Sequence, residues 1–212
     1  MMKCFTLILL CCFLCSFIVK TSAGDILYSN YTLKDEETIV SADGEFELGF
    51  FSPGSSKNRY LSIRYKKAGG IIVWVANRDA PLTDASGKLT LSSEGTLEIF
   101  NSTNSTIWSS NSPKSIKNPV AQLLNTGNLV IRTGNDPDIE NFQWQSYDFP
   151  DNTLLPGMKV GKNLATGRDW SFSSWKSNDD PSPGNFQAEL DISGYPQIFL
   201  WNDSDIYFRT GP

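Results

Sequence analysis

Trp144-Gln145-Ser146-Tyr147-Asp148-Phe149-Pro150-Asp151-Asn152-Thr153-Leu154-Leu155-Pro156-Gly157-Met158-Lys159-Val160-Gly161 is the stretch on which the reading of this chain turns. Its opening residues are the third copy of a motif already present as Val73-Trp74-Val75-Ala76 and Ile107-Trp108-Ser109-Ser110, with the tryptophans 34 and then 36 residues apart. A period of that length indicates one supersecondary unit per copy. Between the tryptophans, Leu91, Gly95, Leu97 and Ile99 recur 32 residues later as Leu123, Gly127, Leu129 and Ile131. Each set is two alternating strands joined by a glycine turn, which is a hairpin signature. Three Trp-bearing strands, two clear hairpins and a less regular first unit predict an all-β domain of three-fold character, with its tryptophans meeting near an axis.

The chain opens on an address label. Lys3 precedes an apolar run from Phe5 to Val19, and Thr21-Ser22-Ala23 supplies small residues suited to cleavage, so residues 1–23 read as a secretory signal. The run is shorter than the roughly 20 residues that span a bilayer. The mature chain is therefore expected to be extracellular and to lack a membrane span. All four cysteines, Cys4, Cys11, Cys12 and Cys15, fall in the leader, so the mature product is expected to have no disulfide, thiol nucleophile or cysteine-ligated metal.

Of the 18 basic residues, Lys3 and Lys20 also leave with the leader, and the remaining 16 face 23 acids, a net charge of −7. That balance argues against nucleic acid and anionic membranes as partners. Histidine is absent, which excludes serine–histidine and cysteine–histidine catalysis and histidine-bound metals. The carboxylate pairs Asp148 with Asp151 and Asp179 with Asp180 flank prolines and read as turn residues rather than a glycosidase dyad. No catalytic residue, metal ligand or cofactor is predicted.

From Gly24 to Tyr65 the signal is strand and turn, with Thr38, Val40, Phe46, Leu48 and Phe50 as apolar or β-branched positions broken at Asp43-Gly44. The Arg/Tyr alternation of 59–67 reads as a half-buried strand, with Leu61, Ile63 and Tyr65 on one face and Tyr60, Ser62 and Arg64 on the other. Four sequons, at Asn30, Asn101, Asn104 and Asn202, are expected N-glycosylation sites, with Asn101 and Asn104 too close for full occupancy of both.

Phe46-Glu47-Leu48-Gly49-Phe50-Phe51-Ser52-Pro53-Gly54, Ile71 to Leu82 and Trp144 to Gly161 together closely resemble the extracellular region of plant S-locus glycoproteins and of G-type lectin S-receptor-like serine/threonine kinases. The resemblance runs from about Asp25 to the last residue. It implies a bulb-type lectin domain at 24–150, a β-prism of three four-stranded sheets with pseudo-three-fold symmetry. Residues 151–212, with Trp170-Ser171-Phe172-Ser173-Ser174-Trp175 and the alternation of Phe186, Ala188, Leu190 and Ile192, resemble the start of an S-locus glycoprotein domain, an incomplete second β unit. In the family that domain continues into cysteine-rich modules, a membrane span and a kinase, so the chain is expected to be a truncated product or the ectodomain end of a longer receptor. Its residues after about 160 are expected to be held loosely.

Bulb-type lectins bind mannose through Gln-x-Asp-x-Asn-x-Val-x-Tyr. Around Gly127 the matching positions are Leu124, Thr126, Asn128, Val130 and Arg132, which keep Asn128 and Val130; around Gly95 an acid, Glu94, and an aromatic, Phe100, remain; in the first unit Lys57, Arg59, Leu61, Ile63 and Tyr65 keep only Tyr65. Each hydrogen bond lost from a buried group costs on the order of 1 kcal/mol. The resemblance therefore implies two functions. One is mannose binding through the residual positions Asn128, Val130, Glu94 and Tyr65. The other, favoured by the erosion, is recognition of a protein or peptide ligand or of a receptor kinase of the same family, as in members that serve pollen recognition, immunity or stress signalling.

Overall fold

The computed structural model describes residues 24–112, 114–138 and 140–211. The leader assigned to 1–23 lies outside the described residues, and the four cysteines with it.

The described chain is β throughout, apart from one 3-10 turn at Ser146–Asp148. Three short strands come first: β1 (Ile26–Tyr28), β2 (Thr32–Lys34) and β3 (Thr38–Val40). Three meanders follow: β4 (Phe46–Phe51), β5 (Tyr60–Tyr65) and β6 (Ile72–Val75); β7 (Lys88–Leu91), β8 (Leu97–Phe100) and β9 (Thr106–Ser109); β10 (Pro119–Leu123), β11 (Leu129–Thr133) and β12 (Trp144–Gln145). Each meander takes one of the first strands as its fourth member. The sheets run β3-β4-β5-β6, β2-β7-β8-β9 and β1-β10-β11-β12, all antiparallel. The N-terminal segment thus laces three sheets into a prism, and each sheet ends on a tryptophan strand.

Period-2 alternation sends one side of every strand to a common core. Leu27, Leu33 and Ile39, one from each lacing strand, are 1%, 0% and 0% exposed. They join Leu48, Leu61, Ile63, Leu89, Leu97, Ile99, Leu129 and Ile131 in a single apolar cluster. Each fully buried aliphatic side chain contributes roughly 2 kcal/mol. For β3 the sequence pattern is one residue out of phase: Ile39 points inward, whereas Thr38 and Val40 are only half-buried.

The tryptophans close the core on the axis. Trp74, Trp108 and Trp144 stand edge to face around a triangle with centroid distances of 6.1, 6.2 and 6.1 Å and interplanar angles of 78°, 68° and 75°. That is the geometry their ring quadrupoles favour. A polar clasp repeats with the same symmetry. The buried Leu61, Leu97 and Leu129 N–H groups donate to Asn77 Oδ1, Ser110 Oγ and Ser146 Oγ at 2.9, 3.0 and 3.0 Å. Each acceptor lies just past its tryptophan strand and satisfies a backbone donor the ladder leaves open. Ser146→Ala is expected to strand the Leu129 N–H and lower stability by about 1–3 kcal/mol, measured as a shift in the urea midpoint.

The hairpin glycines are conformationally required. Gly95 and Gly127 lie at φ 89° and 84°. Both close turns of one design, with Gly95 N–H donating to Ser92 O and Gly127 N–H to Leu124 O.

Beyond the prism, β13 (Gly161–Asn163) and β14 (Arg168–Trp170) form a hairpin, and β15 (Phe172–Ser177), β16 (Asp180–Asp191), β17 (Gln197–Asn202) and β18 (Asp205–Arg209) a meander sheet. This last sheet adds little to the core: Phe199 is buried, but every residue of β18 is exposed. Its first strand is nonetheless attached. Trp175 packs on Phe51, Tyr60 and Val75 on the outer face of the first sheet, with the Phe51 ring 6.3 Å from its own. The half-buried strand expected at 59–67 is therefore covered on both faces over Tyr60–Ile63, because β15 lies across its outer side.

Candidate functional site

The sugar-binding positions of such hairpins lie on the outward faces, so the register of each strand decides which residues they are. Ile63, Ile99 and Ile131 sit opposite Trp74, Trp108 and Trp144. Counting from these inward anchors, Val130 corresponds to Glu98 and Ser62, Asn128 to Thr96 and Tyr60, and Arg132 to Phe100 and Arg64. The alignment that placed Tyr65 at the motif tyrosine is thus one residue out of phase, and a one-residue slip moves a side chain to the other face. Tyr65 packs against the core and stacks on Phe46 at 4.6 Å. The residue facing outward in its place is Arg64, whose Nε donates to Glu47 at 2.9 Å.

The third face keeps the most of the motif, and its groups are committed to one another. Asn128 is 4% exposed; its Nδ2 donates to Gln145 Oε1 at 2.9 Å, and its Oδ1 accepts from Ser146 Oγ and the Tyr147 N–H at 3.2 and 3.3 Å. Val130 has no exposed surface. Arg132 donates through Nε and Nη2 to Gln122 Oε1, and Gln122 donates on to Asp25 at 2.7 Å. The Tyr147 hydroxyl donates to Thr126 O, and burial raises the pKa of that phenol. A cavity of 430 Å³ remains, lined by Gln122, Thr126, Asn128, Arg132, Gln145 and Tyr147 among others.

The other two faces lack the motif. On the first, Tyr60 fills the asparagine position, is 2% exposed and lies under Trp175. On the second, Glu94 is exposed at the Gly95 turn, while Thr96, Glu98 and Phe100 stay half-buried along β8. Of the four candidate sugar residues, only Asn128 and Val130 share a site. Among the sequons, Asn30 and Asn104 are exposed, Asn202 ends β17 half-buried, and Asn101 uses its Oδ1 to accept from Thr103 and Ser105.

The pair Asp148 and Asp151, read from sequence as turn residues, does more than shape a turn. Asp148 pairs with Arg168 at 3.1 Å and accepts from Trp170 Nε1 at 3.2 Å. Asp151 is 1% exposed and pairs with Arg78 at 2.5 Å. Arg78 also donates to Pro181 O, Ser173 Oγ and Ser174 O at 2.8, 3.1 and 3.2 Å. One guanidinium from the loop after β6 thereby ties the prism to β15 and β16. Burial pushes the Asp151 carboxyl up to about 6, with Arg78 opposing the rise. Asp179 adds a second tie, accepting from Ser55 N–H at 2.9 Å, whereas Asp180 accepts from Ser182 N–H as a turn residue does. Among the described residues no cluster of His, Cys, Asp or Glu could hold a metal ion, and no helix is long and apolar enough to cross a membrane.

Three sheets, three outward hairpin faces and an axial tryptophan triad are the frame within which the chain compares with known proteins. A family model described as D-mannose binding lectin matches residues 71–176, half of the chain. The chain belongs to the D-mannose binding lectin family. It is 43% identical over 203 residues to a G-type lectin S-receptor-like serine/threonine-protein kinase of Arabidopsis thaliana, over 94% of this chain and 24% of that protein. It is 39% identical to an S-locus-specific glycoprotein of Brassica oleracea, over 98% of this chain and 47% of the relative. This lectin-family chain thus spans about a quarter of the receptor kinase and about half of the glycoprotein. Among solved structures, the mannose-specific agglutinin of snowdrop (Galanthus nivalis) bulbs is similar, at 24% identity and a TM-score of 0.41 over 55% of this chain and 96% of that one.

Proposed function

We propose that this chain is an extracellular, non-catalytic recognition module, with a bulb-type lectin domain at 24–150 and the start of an S-locus glycoprotein domain at 151–212, whose ligand is a protein, a peptide or a partner receptor kinase of its own family. The observation that carries this reading is the state of the hairpin faces. Asn128 has both ends of its amide engaged within the protein, Val130 has no surface for a sugar ring, and Tyr60 and Thr96 replace Asn128 in the other units. For mannose to bind at Asn128, its bond to Gln145 must break, at about 0.5–1.5 kcal/mol before any contact is gained. Glycans at Asn30, Asn101, Asn104 and Asn202 belong to the same reading, since the module would pass through the secretory pathway.

The cavity on the third face supports a second reading, a mannose site built around Gln145 and Arg132 in place of the missing motif groups. Sugar competition separates the two. Immobilised chain is expected to bind the ectodomain of a receptor kinase of this family equally well with and without excess mannose, by interferometry. Loss of that signal in mannose would favour the sugar reading.

A further inference from the structure

Where the three indoles meet, the prism opens into a cleft of 790 Å³. Its lining shares no residue with the cavity on the third hairpin face. Two observations show that the cleft is chemically unfinished. The first is a buried donor: Trp144 is 5% exposed, its side chain lines the cleft, and its Nε1 has no acceptor, whereas Trp74 Nε1 donates to Phe149 O at 2.8 Å. A buried N–H without an acceptor is costly and rare in native structures. The second is an unbalanced charge. Around the cleft Asp148 pairs with Arg168, Asp169 with Lys162 and Arg78 with Asp151, but Asp79 makes no ion pair among the described residues and stands exposed on the rim.

We infer that the cleft receives an arginine or lysine side chain of an extended peptide, with Asp79 as its charge partner, the half-buried Trp108 indole as its aromatic wall, and a peptide carbonyl accepting from Trp144 Nε1. A cation satisfies both the free carboxylate and the negative face of an indole. The adjoining carbonyl supplies the acceptor that no protein group provides. A neutral sugar would leave the Asp79 charge unmatched, and an anion would meet it as a like charge. The chain's overall acidity, with an isoelectric point near 4.8, draws the same class of partner. The inference rests on the proposed protein-recognition function and names the chemistry of one contact within it.

The chain's six tryptophans make the test direct, because each gives one indole N–H signal in a ¹⁵N correlation spectrum. The deglycosylated chain is titrated with acetyl-arginine-methylamide and, separately, with its uncharged citrulline counterpart. Trp108 and Trp144 signals are expected to shift saturably with arginine, while Trp201 on β17 stays in place. Affinity for the citrulline probe, and for arginine in Asp79→Asn, is expected to fall about tenfold. Because Asp79 is exposed, the variant should keep the other indole signals where they are, which checks its fold in the same spectrum. Equal response to both probes, no saturable response, or shifts at Trp108 and Trp144 produced only by a mannose trisaccharide would overturn the inference. The recognition reading fails separately, by mannose-induced shifts at the Asn128 and Gln145 side-chain amides.

Discussion

Arg78→Ala is expected to lower the stability of the chain by about 3–5 kcal/mol at pH 7, the range for removing one partner of a buried ion pair. The arginine is half-buried and Asp151 almost wholly so, and the same guanidinium holds Pro181 O, Ser173 Oγ and Ser174 O. Its loss leaves an unpaired carboxylate inside the protein and three orphaned acceptors at the joint with β15 and β16. The penalty should depend on pH with a definite sign. Asp151 has its folded pKa raised from 3.8 to about 6. Between those values the native chain holds a proton that the unfolded chain has released, so this group favours the fold most at low pH. Its contribution falls as pH rises through that window and is flat above it, a swing of about 3 kcal/mol. The Arg78→Ala deficit should therefore shrink on acidification, because a protonated Asp151 no longer needs its partner. Asp151→Asn should remove that pH dependence from both backgrounds. Urea denaturation of the four proteins at pH 4.5 and pH 7.5 measures it, and a deficit that is the same at both values would contradict the assignment.

Trp74→Ala should be comparably damaging, at about 3–5 kcal/mol for a buried tryptophan. Trp74 contacts both other indoles edge to face and donates Nε1 to Phe149 O at 2.8 Å. The change removes two aromatic pairs, opens a cavity on the axis and orphans a carbonyl. Trp74→Phe keeps a ring but no donor and should recover part of the loss. Thermal unfolding followed by near-ultraviolet circular dichroism reports both stability and the coupling of the triad, which should vanish in the alanine variant.

How much of this was legible in the sequence depends on how local the signal was. The triad was, because the tryptophans recur at 34 and 36 residues and two of the hairpins between them carry glycines at positive φ. The three lacing strands were not legible as members of separate sheets. Each is three residues long, too short to show a period, and their partners β10, β7 and β4 lie at very different distances along the chain. The first hairpin misled for a related reason. No glycine turn fixes β4 against β5, so Tyr65 was aligned by residue type and landed one position from the residue that faces outward. Asn128 was found as a motif residue, yet its partners Gln145, Ser146 and Tyr147 are 17 to 19 positions away. Asp151 looked like a turn residue because its neighbours are Pro150 and Asn152; its partner Arg78 comes from another sheet. Period and turn chemistry are written locally, whereas long-range polar partners are set by packing.

The account's central claim is that the outward hairpin faces, which carry the family's sugar motif, are closed by the protein's own hydrogen bonds. Calorimetric titration of the enzymatically deglycosylated chain with mannose oligomers tests it most directly, since removal of its own glycans leaves any lectin site free. The account predicts no saturable heat from protein shown to be folded, for the native chain and for Asn128→Ala alike. Saturable binding that Asn128→Ala abolishes would contradict it and make the third hairpin a working mannose site.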